Sequence, residues 1–288
     1  MCEYVAVEHG GNHLVVLDCD GNLLWERTVP NTDRHSTTAL EVADVDGDGR
    51  SDILVNRYNE RVPVEYFAYV GLGKSDSGFE RRLVGIHGRG HGGGFGDVNG
   101  DGRGDVITSD GWYESPGRAA TEAWEWHNNF DAPHCGIPML VEDLNADGLP
   151  DIIFGHAHDF GLLWLEQTRD SAGRQAWIYH TIDDTYSQIH CPILADLDGD
   201  GTRDLIAGKR YRGHNGADPG ANEPLCIFWY RIRKGPDPQF TKHIISYDEN
   251  IGIGMTLRAV DIDKDGDVDI VAPGKTGLYL FENQRIDH

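Results

Sequence analysis

Five stretches of this sequence space their carboxylates as a hard cation requires. They share the frame D-x-[DN]-x-D-G-x-x-D and read DVDGDGRSD, DVNGDGRGD, DLNADGLPD, DLDGDGTRD and DIDKDGDVD in chain order. The ligand positions are Asp44, Asp46, Asp48 and Asp52 in the first, then Asp97, Asn99, Asp101 and Asp105 in the second. Asp143, Asn145, Asp147 and Asp151 follow, then Asp196, Asp198, Asp200 and Asp204, and last Asp261, Asp263, Asp265 and Asp269. Side-chain oxygens at positions 1, 3, 5 and 9, with a backbone carbonyl near position 7, make an oxygen shell for Ca²⁺ or Mg²⁺. A plain Asp-Gly turn is the alternative for any single loop, and five copies in one frame favour the cation. Four clustered carboxylates repel one another without it, so its expected role is that of a staple.

A second set of chemical groups keeps a fixed distance from these loops. Five residues beyond the last Asp of each loop stand Arg57, Asp110, His156, Lys209 and Gly274, the last followed by Lys275. Six or nine residues before the first Asp stand His35, His91, His134 and His190. His158, Arg210, Tyr211 and His214 come just after the run that follows a loop. Neutral imidazoles brought together suit a borderline cation such as Zn²⁺, Mn²⁺ or Fe²⁺, which makes His91, His134, His156, His158 and His190 candidate ligands. Such a metal polarises a carbonyl or hydroxyl oxygen. His134, His156, His190, Lys209 or Arg210 could then move a proton beside that carbonyl, with Tyr211 as donor. Arg57, Asp110, Trp112, His214 and Lys275 are the candidate substrate-binding groups, Trp112 by stacking on a sugar ring. The alternative for each histidine is a hydrogen-bonded loop residue, and for Trp112 it is packing. Cys135 and Cys191 each follow a histidine and point the other way in a strand, which favours packing over ligation.

These groups need a scaffold that repeats. The loop starts lie 53, 46, 53 and 65 residues apart, and each loop is followed by a β-branched run such as DILVNR or DIIFG. Around it the sequence reads as four short strands, here called A to D, with the loop joining A to B. Strand D carries an aromatic and then a base three residues later: Phe79/Arg82, Trp124/His127, Trp177/His180 and Phe240/His243. His127, His180 and His243 therefore read as surface residues. Four strands per repeat of about 50 residues is the arithmetic of a β-propeller blade. The expected fold is all-β, a single β-propeller domain over residues 1–288 with six blades preferred and seven possible. The end of B and the start of A meet opposite the loop, which gathers the titratable residues at one mouth of the propeller. The longest repeat holds the insertion RGHNGADPGANEP (Arg212–Pro224), a candidate lid.

The repeat D-x-[DN]-x-D-G-x-x-D before a β run resembles the FG-GAP/VCBS repeats of integrin-like propellers. The segment QIHCPILADLDGDG (Gln188–Gly201) also resembles the His-bearing blade of the aldos-2-ulose dehydratase (1,5-anhydrofructose dehydratase) propeller. The first resemblance implies a propeller with metal loops. The second implies a metal-dependent lyase, a dehydratase or eliminase, acting on a keto- or anhydro-sugar by proton abstraction next to a carbonyl. An isomerase or epimerase would share the same enolate. The alternative function is a non-catalytic glycan- or protein-binding propeller stabilised by calcium.

The 288 residues carry a formal charge of −23. Removing the eighteen loop aspartates from the count leaves 30 acids against 25 bases, so the acidity belongs mostly to the loops. So acidic a chain repels nucleic-acid phosphates and anionic lipid, and neither is expected as a partner. No apolar run is long enough to span a membrane. The first residues show no secretory pattern and the five cysteines form no CxxC pair, so a cytoplasmic location is expected, with extracellular as the alternative suggested by calcium-type loops.

Overall fold

A computed structural model describes residues 3–7, 13–18, 20, 22–28, 37–57, 63–71, 78–88, 91–117 and 123–284. Among the described residues every regular element but one short 3₁₀ turn is a strand. The first sheet joins β1 (Glu3–Val7), β2 (His13–Asp18) and β3 (Leu23–Thr28). Four sheets of four strands follow. They are β4 (Thr37–Ala43) to β7 (Phe79–Gly85) through β5 (Asp52–Arg57) and β6 (Val64–Tyr69), and β8 (Gly93–Gly96) to β11 (Glu125–His127) through β9 (Asp105–Thr108) and β10 (Gly111–Glu114). Next come β12 (Leu140–Glu142), β13 (Asp151–Gly155), β14 (Phe160–Arg169) and β15 (Gln175–Ser187). The fourth comprises β16 (Ile193–Ala195), β17 (Asp204–Gly208), β18 (Cys226–Arg233) and β19 (Gln239–Tyr247). A last sheet holds β20 (Arg258–Val260), β21 (Asp269–Gly274) and β22 (Gly277–Phe281).

Strand order within every sheet follows the chain, and the paired strands run antiparallel, which is the meander of a propeller blade. The fold class is thus all-β, of β-propeller type. Five blades are built on an Asp loop, against the six preferred from the sequence. The sheet β1–β3 has three strands and no Asp loop, so it does not complete a sixth blade of that kind. The inner strands read as continuous apolar runs for a physical reason: β13 (DIIFG) and β17 (DLIAG) are buried at all five positions, packed on both faces. Outer strands such as β19 alternate with solvent.

The chain divides into two compact units, residues 1–95 with 102–128 and residues 96–101 with 129–288. Unit one has cores around Ile53, Val55, Phe67 and Phe79 and around Leu54, Tyr66, Val106 and Tyr113. Unit two has one core around Leu162, Trp164, Leu205 and Phe228 and another around Cys191, Ile206, Ile253 and Ile270.

The ninth residue of each loop does more than the spacing implied. Asp151 Oδ2 accepts the Leu144 N–H at 2.9 Å and its Oδ1 the Gln167 N–H at 2.8 Å, tying the loop start to strand C. Asp52 does the same with Val45 and Tyr69, Asp204 with Leu197 and Ile232, and Asp269 with Ile262 and Asn283. Burial pushes the carboxyls of Asp151 and Asp204 up to about 6, against these hydrogen bonds. The earlier carboxylates close Asx turns on their own loop, as in Asp48 N–H to Asp46 Oδ1 at 3.2 Å. Asp44, Asp46 and Asp48 bring oxygens within 4.8 Å of one another, as do Asp196, Asp198 and Asp204.

The bases on the outer strands are cross-strand partners of tryptophans rather than plain surface residues. Trp112 stacks on His127 at 4.2 Å, Trp164 on His180 at 4.5 Å and Trp229 on His243 at 4.2 Å. Each pair lies directly opposite in the strand register, where side chains of one face touch. Glu114 and Glu166 accept from His127 and His180 at 3.0 and 2.7 Å.

Candidate functional site

In unit two the end of each inner strand meets the chain entering the next sheet, at the end of the sheets away from the Asp loops. The Ile189 N–H donates to His156 O at 2.8 Å, Arg210 N–H to Gln188 O at 3.1 Å and Ile253 N–H to Lys209 O at 3.0 Å. Strand exits and entries are laced together, and their side chains are gathered with them. His134 and His156 form an edge-to-face pair with ring centroids 6.2 Å apart. The His156 Nδ1 lies 2.7 Å from Phe160 O. A carbonyl only accepts, so Nδ1 carries the proton and Nε2 is the basic nitrogen. Burial pushes this imidazole below its usual range, with the charge on Asp159 opposing.

A second group is built around a carboxylate from the insertion. Asp218 Oδ2 accepts from His158 Nδ1 at 2.9 Å, and its Oδ1 from His214 Nδ1 at 2.8 Å. The two imidazoles stack at 4.5 Å with planes 11° apart. His190, buried, meets His158 edge-on at 5.3 Å. Arg210 brings its Nη2 to 3.7 Å from Asp218 Oδ2. Burial works against the Asp218 charge, yet the hydrogen bonds from His158 and His214 outweigh it and hold the carboxyl below the usual range. Burial also pushes His158 below its usual value, so this ring is neutral at neutral pH.

The insertion reaches this position because two features bind it down. The Lys209 side chain is 0% exposed and donates from Nζ to Ser187 Oγ at 3.0 Å and to Gly220 O. Gly213 approaches so closely that a Cβ there would lie 2.4 Å from Arg210 Nη2, 2.5 Å from Gln188 Oε1 and 2.6 Å from Asp218 Oδ2. Its N–H donates to Gln188 Oε1 at 2.7 Å.

The sequence-nominated residues therefore fall into distinct places. His158, His190, Arg210 and His214 come together, and His134 joins His156. Lys209 is spent on tethering the insertion. Tyr211 lines a separate recess with the far end of the insertion. Lys275 is exposed on the turn between β21 and β22. In unit one, Asp110 accepts from Thr108 Oγ1 at 3.1 Å, His91 has a φ of 100° ahead of β8, and Trp112 is 2% exposed with its ring against His127. His35 and the Arg57 side chain lie outside the described residues. Cys135 and Cys191 are buried thiols, and the Cys191 Sγ accepts the Leu257 N–H at 3.1 Å. Burial pushes the Cys191 thiol up to about 11.

Sequence reasoning missed Asp218 and Gln188. The only signal for Asp218 was a carboxylate four residues after His214 in an insertion already suspected of folding over the site. Gln188 carried no signal beyond standing two residues before His190. The donor set of His158, His214 and Asp218, with ligating atoms within 4.8 Å of one another, fits a borderline divalent cation.

Among curated proteins no sequence matches this chain. Residues 143–207 match the FG-GAP-like repeat family. Among solved structures the chain is similar to an Agrocybe aegerita lectin described as recognising non-reducing terminal N-acetylglucosamine, at 17% identity over 98% of this chain and 73% of that one, TM-score 0.56. It is also similar to the V. cholerae biofilm matrix protein Bap1, at 12% identity over 98% and 66% of the two chains, TM-score 0.39. A third likeness is to the rhamnogalacturonan lyase YesW, at 17% identity over 94% and 50%, TM-score 0.31. The likeness to the lectin is one of fold. The matched segment runs from the first residue of one Asp loop past the last residue of the next, and residues 143–207 thus carry an FG-GAP-like repeat within a β-propeller fold.

Proposed function

We propose that the chain acts on a carbohydrate as a carbon–oxygen lyase or sugar isomerase, moving a proton beside a carbonyl. The reading rests on one arrangement: a single carboxylate, Asp218, orients two stacked imidazoles through their Nδ1–H groups. Each ring then carries its lone pair on Nε2. His158, kept neutral by burial, takes the proton from the carbon next to the carbonyl, and the C–H electron pair becomes the enolate. The Arg210 guanidinium supplies positive charge for the enolate oxygen. His214, whose side chain is 63% exposed, exchanges protons with solvent and hands one to the departing β-hydroxyl, which leaves as water. The products are an unsaturated ketone and water, with no redox partner needed. Return of the proton to the neighbouring carbon gives isomerisation instead. A borderline divalent cation held by His158, His214 and Asp218 would replace the two Nδ1 protons and supply Lewis acidity to a substrate oxygen. Ca²⁺ in the Asp loops belongs to the same proposal as a structural ion.

The test is turnover of keto- and anhydro-sugars by wild type and Asp218→Asn, followed by loss of substrate and appearance of enone absorbance. Asn keeps the shape but offers one acceptor oxygen where two are used. A loss of at least about 100-fold in kcat is expected. Equal rates for the two proteins, or no turnover across the panel, would sink the reading and leave non-catalytic glycan or protein binding in its place.

A further inference from the structure

The insertion has a second flank. While His214 and Asp218 face His158, its end packs toward the turn after β19 and borders an open recess of about 420 Å³. That volume lies in the lower part of the range for small-ligand cavities, about 300–1,000 Å³. Tyr211, Arg212, Glu223, Asp248 and Asn250 line it, together with the buried Leu225. Among the described residues the side chains of Asp248 and Asn250 make no hydrogen bond or ion pair. The backbone there is strained. Arg212, Asp248 and Asn250 have φ of 41°, 58° and 59°, three of the ten non-glycine residues with positive φ among those described. Such conformations cost on the order of 1–3 kcal/mol each and persist where the surroundings over-determine them, a pattern concentrated at binding sites.

We propose that this recess is a subsite for one neutral pyranose unit of the carbohydrate that the protein takes. A sugar presents hydroxyls at its rim and C–H groups on its faces. Carboxylate and carboxamide side chains pair with the former, and Tyr211 and Leu225 cover the latter. Two carboxylates, Glu223 and Asp248, against one guanidinium, Arg212, repel a uronate and accept a neutral ring. Because Asp248 and Asn250 come from the β19–β20 connection and not from the insertion, they can be changed without touching the imidazole group. The inference rests on the carbohydrate reading above and places recognition apart from proton transfer.

Saturation-transfer NMR and calorimetry with neutral gluco-, galacto- and manno-oligosaccharides, beside the matching uronate oligomers, test it. At least one neutral oligomer is expected to bind, and Asp248→Ala/Asn250→Ala to weaken it tenfold or more while circular dichroism shows the variant still folded at the temperature of the measurement, its melting lowered by the cost of alanine at positive φ. The same neutral oligomer is expected to bind Asp218→Asn within twofold of wild type. Failure of every neutral oligomer to bind, tighter binding of a uronate, or unchanged affinity in the double variant overturns the subsite. Binding lost in the double variant with turnover absent in every protein upholds the subsite while the proton-transfer reading falls.

Discussion

Lys209 holds the place, five residues past a loop, that His156 holds in the preceding blade, yet the two are put to different use. His156 is half-buried and fixes its tautomer on Phe160 O, whereas Lys209 is sealed under the insertion between Ser187 and Gly220. Burial pushes the Lys209 ammonium below its usual value of 10.5, opposed by the charge on Glu223. Between that lowered value and 10.5 the unfolded chain binds a proton that the folded protein has shed, so stability rises with pH in this window. Wild type should therefore gain on Lys209→Met as pH rises from neutrality toward 10.5, by at most about 1.4 kcal/mol per pH unit. Urea unfolding of both proteins across that range reads the difference, and parallel curves would exclude the assignment. The position of Lys209 was legible from spacing, but its role was not, because burial under a distant loop leaves no local trace. The ninth loop Asp is similar: its spacing read as a ligand, and its use in holding strand C depends on pairing across sixteen residues, as between Asp151 and Gln167.

At the level of elements, the insertion between β17 and β18 decides what the site contains. Its presence was plain from the longer repeat, since the excess of residues has no strand to join. That Asp218 would turn back onto His158, sixty residues earlier, depends on how the chain packs after β17 ends. Gly213 is the hinge of that close approach. Its replacement by Ala puts a Cβ 2.4–2.6 Å from the far ends of Arg210, Gln188 and Asp218, which must then give way. Those ends are flexible, so Gly213→Ala should cost less than about 2 kcal/mol in stability. It should nonetheless part Asp218 from its imidazoles. Proton NMR should show two downfield, carboxylate-bonded Nδ1–H resonances in wild type and their loss in the variant. Retention of both would mean that the insertion docks without this contact. The Trp–His stacks of the outer strands show the complementary case: aromatic and base recur at one offset, which was read, but which tryptophan each histidine meets is set by register across the sheet.

Across the whole chain, much of the charge of −23 lies in five loops, and in those starting at Asp44 and Asp196 the carboxylates sit close enough to repel. Arginines answer some of this charge, as Arg231 does by reaching Asp198 and Asp200 at 2.9 Å each. A divalent cation would answer the rest. Ca²⁺ at a hundred times its dissociation constant contributes about 2.7 kcal/mol per site that forms only on folding. Scanning calorimetry should thus show a melting temperature several degrees higher in calcium than after chelation. Asp44→Ala and Asp196→Ala should each reduce that gap, and identical melting with and without calcium would rule out the staple. The strands, their order within each blade and the five loops were determined by sequence alone, because they arise from short-range patterns: alternation, β-branched runs and fixed loop spacing. Only the tertiary structure decided the burial of Lys209 and Trp112 and the joining of Asp218 to His158 and His214. Those depend on contacts between residues tens of positions apart, where the geometry of packed strand ends, rather than any local preference, brings the groups together.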